Sequence, residues 1–197
     1  MRVKDEKKVV AIKEKALEIL VNKGFDGLSM QKLAKEAGVS PATIYIYFKD
    51  RDDLIIQVAL EEIQKMLEAT LKGFSPEMHF EEGLKLQWIN RVNYFLKYPM
   101  QAHLSEQIKY SPYYNIVFQK MDKTFQKTMG EFVHNAIKRN ELVKLPLEVY
   151  WSIAFAPLYQ LVKFHTSGRG LNRLEKFVLD ENMMDQTLKL VIKALKP

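Results

Sequence analysis

A chain of 197 residues, 47% of them apolar, has material for one large domain or for a small one joined to a larger one. Its 27% charged and 11% aromatic residues exclude a disordered or low-complexity chain, and the absence of cysteine excludes disulfides, thiolate catalysis and cysteine-ligated zinc. Of a formal net charge of +6, +4 falls in the first 51 residues, which carry 11 Lys+Arg against 7 Asp+Glu, a balance that suits nucleic acid, an anionic surface or neither.

The longest apolar-rich stretch without a charge runs over the 14 residues from Val149 to Val162, against the roughly 18–20 needed to span a bilayer. The start, Met1-Arg2-Val3-Lys4-Asp5-Glu6-Lys7-Lys8, is mixed in charge with no apolar core, so it does not read as a secretory signal. A cytoplasmic location without a membrane partner is therefore expected. With only 8 glycines, 7 prolines and no alternating strand pattern, the chain reads as all-α.

The first helix is carried by Val9, Ile12, Ala16, Ile19 and Leu20, spaced by three and four, and stops at Gly24, a residue suited to the left-handed C-cap. Ser29 can cap a short second helix through Met30, Leu33, Ala34 and Ala37, which Gly38 ends. Ser40-Pro41 opens a third, with a hydroxyl N-cap followed by proline at the first helical position, where its missing N–H costs nothing. Asp50 with Asp53 resembles a capping box for a long fourth helix that leads to Gly73. Beyond Phe74-Ser75-Pro76 the expected helices run to about Lys97, from Pro99 to Tyr110, from Ser111-Pro112 to near Asn140, from about Pro146 to Thr166 and from about Asn172 to Leu195. That makes about nine helices.

Two short helices joined through Gly38-Val39-Ser40 and preceded by a longer one form the skeleton of a helix-turn-helix DNA-binding unit. Its third helix, Ser40-Pro41-Ala42-Thr43-Ile44-Tyr45-Ile46-Tyr47-Phe48-Lys49, has no charge before Lys49, and its small polar first turn allows close approach to base edges.

Gly24-Phe25 with Leu28-Ser29, then Leu33-Ala34-Lys35-Glu36-Ala37-Gly38-Val39-Ser40, then Thr43-Ile44-Tyr45-Ile46-Tyr47-Phe48-Lys49-Asp50-Arg51-Asp52-Asp53-Leu54 resembles the TetR family of transcriptional regulators over about the first 60 residues. The resemblance implies base-edge contacts from Gln31, Ala42, Thr43 and Tyr45, with Pro41 against a thymine methyl and Ser40 at the same helix start. It implies phosphate contacts from Tyr47, Lys49 and Arg51, the footprint extended by Lys4, Lys7 and Lys8. The pattern is departed from at Met30, where a second hydroxyl residue is common, and at Ile46, where a polar or aromatic one is. Taken on their residue types alone, Tyr45 also fits core packing, Lys49 and Arg51 fit solvated turn charges, and Gln31 fits an ordinary exposed helix position.

From Val149 to Phe164, 13 of 16 residues are apolar, so this helix needs cover on both sides. One face on its own core and the other against a second copy satisfies that, and the family resemblance puts a homodimer interface at the last two helices. Pro157 should kink the helix. Trp88, Phe95, Tyr114, Phe118, Met121, Phe125, Trp151, Phe155 and Tyr159, with Asn93, His103 and Gln107 as polar handles, are candidates for an apolar effector pocket, although helical spacing alone also fits them as core.

The four histidines, 24 to 31 residues apart, match no zincin, P-loop or nucleophile-elbow pattern, and His103 with Glu106 at i, i+3 reads more readily as a solvated pair than as metal ligands. No cofactor, metal or catalysis is expected. The expected architecture is a three-helix DNA-binding domain over residues 1–50 and a larger helical effector-binding and dimerisation domain over 51–197. The expected function is a homodimeric repressor on a pseudo-palindromic double-stranded DNA operator, released by a small lipophilic or aromatic effector. An activator, or an architectural DNA binder without a ligand, is the rival reading.

Overall fold

The computed structural model describes residues 6–171 and 175–197, and among them every regular element is helical: α1 Glu6–Lys23, α2 Met30–Glu36, α3 Pro41–Tyr47, α4 Arg51–Thr70, α5 Phe80–Lys97, α6 Pro99–Lys109, α7 Tyr114–Lys120, α8 Thr124–Lys138, α9 Leu147–Ala154, α10 Ala156–Ser167 and α11 Glu181–Leu195. The chain divides into two compact units, residues 1–66 with 98–121, and residues 67–97 with 122–197.

In the first unit, Ile12, Ala16, Ile19 and Leu20 of α1 lie on one helical face and are buried with Leu33 and Ala34 of α2, Ile44 of α3 and Leu54, Ile55 and Val58 of α4. Leu104 and Ile108 of α6 and Val117 of α7 belong to the same core. Lys13 Nζ pairs with Glu61 Oε2 at 2.6 Å, tying α1 to α4.

The second unit packs α5 against α8 and α10, with α9, α10 and α11 in mutual contact. Phe132 of α8 stacks on Phe80 and meets Phe74 edge-on, at ring separations of 6.0 and 5.0 Å. The α8 exit is closed by Asn140 in the left-handed region (φ 58°), with the Glu141 N–H donating back to Ala136 O at 2.9 Å.

The nine expected helices become eleven among the described residues, because two are divided. The helix expected from Ser111-Pro112 to Asn140 breaks at Met121, whose backbone is extended, and restarts where the Asp122 carboxylate accepts from the Thr124 N–H at 2.5 Å. The helix expected over Pro146–Thr166 breaks at Phe155, two residues before Pro157, which sits in the first turn of α10 and cannot donate to the preceding turn. Two starts also differ. α5 begins at Phe80, after a turn in which Ser75 accepts from Glu77 and Met78. α11 begins at Glu181, where Asp180 caps the Met183 N–H at 2.7 Å. The expected start near Asn172 lies outside the described residues, and the described segment before Asp180 returns along α10, with Leu179 N–H donating to His165 Nδ1 at 2.9 Å and Phe177 edge-on to Phe164.

Candidate nucleic-acid interface and ligand core

The helix-turn-helix is built from local signals. The Ser29 hydroxyl accepts from the Lys32 N–H at 3.2 Å and starts α2. α2 ends in a Schellman turn: Gly38 takes φ +67°, Val39 N–H donates to Ala34 O at 2.9 Å and Gly38 N–H to Lys35 O at 3.4 Å. Ser40 then caps α3 through the Thr43 N–H at 3.2 Å, while the Ser40 and Thr43 hydroxyls share a hydrogen bond of 2.9 Å. With Pro41 at the first helical position, the turn leaves little backbone freedom at the head of α3.

The 3.6-residue period sorts α3. Ile44 and Phe48 are buried in the core of the first unit, so Pro41, Ala42, Tyr45 and Ile46 stand on the exposed side. Tyr45 is 55% exposed, which removes core packing as its role. Thr43 and Tyr47 are half-buried, Tyr47 packing its ring against the core, and Gln31, Ser40 and Lys49 are exposed. Lys7 and Lys8 are exposed on the first turns of α1; Lys4 lies outside the described residues.

Arg51 is engaged within the fold. Its Nε donates to Leu28 O at 2.9 Å, its Nη2 to Phe25 O, and its Nη1 to Asp52 Oδ1 at 3.3 Å and Tyr113 Oη at 3.4 Å. Tyr113 in turn donates to Asp52 at 2.7 Å, and its ring lies 5.3 Å from that of Phe25. Partial burial and the Asp52 hydrogen bond push the Tyr113 phenol up, so it stays a donor. Asp53 caps both sides of the α4 start, its N–H donating to Asp50 Oδ1 at 2.8 Å and its carboxylate accepting from Lys49 N–H at 2.9 Å. Against the desolvation that opposes them, this bond and one from Gln57 hold the Asp53 carboxyl below its usual range.

The candidate ligand-core residues fall into both units. In the first, His103, Tyr114 and Phe118 are exposed, with the Tyr114 and Phe118 rings stacked at 5.8 Å, and Met121 is half-buried. Gln107 donates to Val21 O at 3.5 Å, and its carbonyl is buried without a partner. In the second unit Asn93 is exposed, while Trp88 is fully buried and donates its indole N–H to Ala154 O at 2.8 Å, a carbonyl at the end of α9. Phe95 meets Tyr159 at 5.6 Å and Trp151 meets Phe155 at 4.6 Å.

Three further residues, Gln87, Arg91 and Tyr150, are buried in the second unit with these rings. Arg91 is 1% exposed, with Phe155, Trp151 and Phe125 at 4.3, 5.8 and 5.9 Å from its guanidinium carbon to the ring centres. Gln87 is fully buried, and Tyr150 is 3% exposed. The available signal was a lone charge at i+3 and i+4 from Trp88 and Gln87, on the face that carries Tyr94 and Phe95. Among the described residues no cluster of three acidic or histidine side chains could hold a metal ion, and no helix is long and apolar enough to cross a membrane.

Residues 12–58 match the family described as bacterial regulatory proteins, tetR family. An uncharacterized HTH-type transcriptional regulator of Haemophilus influenzae is 42% identical over 80 residues, 40% of this chain and 42% of that protein, so the chain spans less than half the length of that relative. Over the full length of both chains, the crystal structure of a TetR-family transcriptional regulator from Haemophilus influenzae superposes with a TM-score of 0.79 at 21% identity. A transcriptional regulator from Bacillus subtilis solved in complex with stearoyl-CoA superposes with a TM-score of 0.67 at 18% identity, over 95% of this chain and 99% of the other. The family matched by residues 12–58 and the relative matched over 80 residues are both described as transcriptional regulators.

Proposed function

We propose, from the match of residues 12–58 to the tetR family of bacterial regulatory proteins, that the chain is a ligand-responsive repressor that binds a pseudo-palindromic DNA operator as a homodimer and is released by a small apolar or aromatic effector. DNA reading falls to residues 1–50, and effector binding and dimerisation to 51–197. The observation that carries the DNA-reading part is the sorting of α3: Ile44 and Phe48 anchor it, and Pro41, Ala42 and Tyr45 are presented outward behind a sealed turn. A helix held in that way can enter a major groove with its first turn against base edges. Thr43 offers a hydroxyl and a methyl group at that end, Gln31 an amide able to pair with adenine, and Lys49 an exposed cation for a phosphate.

A shift between DNA-competent and DNA-incompetent states needs an effector with different affinity for the two, about 5.5 kcal/mol for a swing from 1:99 to 99:1. The buried aromatic cluster around Phe155 supports the presence of such a site.

Selection of bound duplexes from a random DNA pool at near-physiological salt tests the reading. A pseudo-palindrome with half-sites about 34–36 Å apart is expected. On that sequence Tyr47→Ala should weaken binding to all duplexes alike, and Thr43→Ala should relax preference at one base pair of each half-site by about 1–3 kcal/mol. Folded variants that bind like the parent would remove α3 as the reader, and an unenriched pool would remove sequence-specific regulation.

A further inference from the structure

Arg91 is a buried cation, and among the described residues no carboxylate pairs with it. Taking a guanidinium out of water is costly unless a counter-charge or a full set of acceptors replaces the lost hydration. Arg91 has neutral acceptors only. Its Nε donates to Tyr159 Oη at 3.1 Å, and its Nη1 donates to Gln87 O at 3.1 Å and to the Gln87 side-chain carbonyl. No acceptor for Nη2 is found among the described residues.

The Gln87 amide is itself held, donating through Nε2 to Thr70 O at 2.9 Å, so its oxygen is kept available to the guanidinium. Tyr150 shares the Phe155 ring with Arg91, at 6.3 Å between ring centres and 4.3 Å from the guanidinium carbon, and its hydroxyl is buried with no hydrogen-bond partner among the described residues. Burial pushes that phenol up, against the opposing charge of Arg91, so it remains protonated and a donor. A planar cation with an uncommitted edge and an unpaired phenol donor, both against the Phe155 ring, are two donors without an acceptor.

We propose that Arg91 and Tyr150 bind the carboxylate of an organic monoanion whose apolar body lies against Phe155, Trp151 and Phe125. This rests on the effector-binding reading above and adds the ligand class. A single negative charge is required because Arg91 is the one cation among these groups and its companions are neutral; a doubly charged phosphate would leave net charge in an apolar surround. Phe155 owes its place to the break before Pro157, which ends α9 there. Trp151, Tyr159 and Phe125 are only half-buried, whereas Arg91 and Phe155 are fully buried.

The experiment uses the full chain and a series of straight-chain acids from hexanoate to stearate, together with phenyl- and naphthyl-substituted acids, each against its primary amide and stearoyl-CoA alongside. Melting midpoint and tryptophan fluorescence are the readouts, Trp151 lying beside Arg91. At least one acid is expected to raise the midpoint and to bind at least about tenfold more tightly than its amide. Arg91→Met should abolish that preference while melting, without ligand, at or above the parent, because it removes a buried unpaired charge. Tyr150→Phe should weaken the acid severalfold without changing the unliganded midpoint.

No acid binding, acid and amide binding alike, tight binding of the thioester alone, or an Arg91→Met chain that keeps the acid preference would each overturn the proposal. An Arg91→Met chain with a lowered midpoint would also overturn it, since Arg91 would then be a structural residue. A parent that selects a pseudo-palindrome and binds no acid would remove this inference and leave the regulator reading standing.

Discussion

The Arg51 guanidinium closes the loop between α1 and α2 by taking the Leu28 carbonyl and the Phe25 carbonyl, which also accepts from the Leu28 N–H at 3.1 Å. A residue so engaged is a poor candidate for a DNA phosphate, whereas its neighbour Lys49 is exposed. Arg51→Ala should lower stability by about 1–2 kcal/mol, a part-exposed charged donor losing several bonds, and leave the salt dependence of operator binding unchanged. Lys49→Ala should leave stability alone and reduce the slope of log affinity against log salt by about one. Equal effects of both variants on the slope would return Arg51 to the phosphate contacts. Glu141 is a second anchor, accepting from the Phe80 N–H at 2.9 Å, His79 Nδ1 at 2.6 Å and Arg139 Nε at 3.1 Å. Partial desolvation opposes these donors but they prevail, and the carboxyl falls to about 2. A depressed carboxylate contributes stability that is full above its unfolded value near 4.3 and is lost as pH falls through the folded one. Glu141→Gln should therefore cost about 1 kcal/mol at pH 7, and the gap to the parent should close as pH falls from 5 towards 2. A gap that stays constant over that range in calorimetric melts would show that the charge is not what anchors α5.

At the scale of elements, Gly83 decides how closely α5 and α8 approach. A Cβ placed on it would stand 2.5 and 2.6 Å from two carbons of the Phe132 ring and 3.2 Å from Phe74. Phe132 is fully buried between Phe74 and Phe80 and has no room to swing away. Alanine would gain up to about 1 kcal/mol of helix propensity, but overpacking costs about 1–3 kcal/mol, so Gly83→Ala should lower the melting midpoint, and Gly83→Ala with Phe132→Leu should recover part of it. A single variant as stable as the parent would mean the two helices can separate freely. The contrast with α1 to α4 shows what a sequence can disclose. Gly24, Ser29, Gly38 and Ser40-Pro41 set those boundaries through bonds to residues at most five apart, so the signals sit beside their effects. The α5 start is set by Glu141, 61 residues away, and nothing near Phe80 announces it. The Asp122-Lys123-Thr124 break was readable in principle, an Asx turn inside a run otherwise periodic enough to pass for one helix. Arg91 is not legible in the sequence because charge on a helix is ordinarily a solvated face, and only the packing of α8, α9 and α10 around it shows otherwise.

For the whole molecule, the proposed two-fold assembly must cover the apolar surface left on the last helices. α11 turns Leu188, Val191 and Leu195 into the core of the second unit, yet Met183 and Leu190 remain 39% and 69% exposed on an adjoining face that continues through Thr187 and Ala194. On α9, Leu147 and Val149 are likewise exposed at 66% and 42%. A second copy packing on α9–α10 and α11 would bury this surface, and a stable interface of this kind removes more than about 1,000 Å² from water. Light scattering should give a two-chain mass for the parent at micromolar concentration. Leu190→Glu places a charge at the middle of that face; with two copies related by symmetry, two carboxylates are desolvated together, and the dimer should weaken by at least about 100-fold. Because Leu190 is largely exposed in the single chain, the variant should keep its melting transition at low concentration, which separates loss of assembly from loss of fold. Operator binding then supplies a second measure. A dimer joins two half-sites into one binding event, so Leu190→Glu should lose far more affinity for a full pseudo-palindrome than for an isolated half-site. A variant that remains two-chain in mass, or loses equally on both duplexes, would place the dimer interface elsewhere.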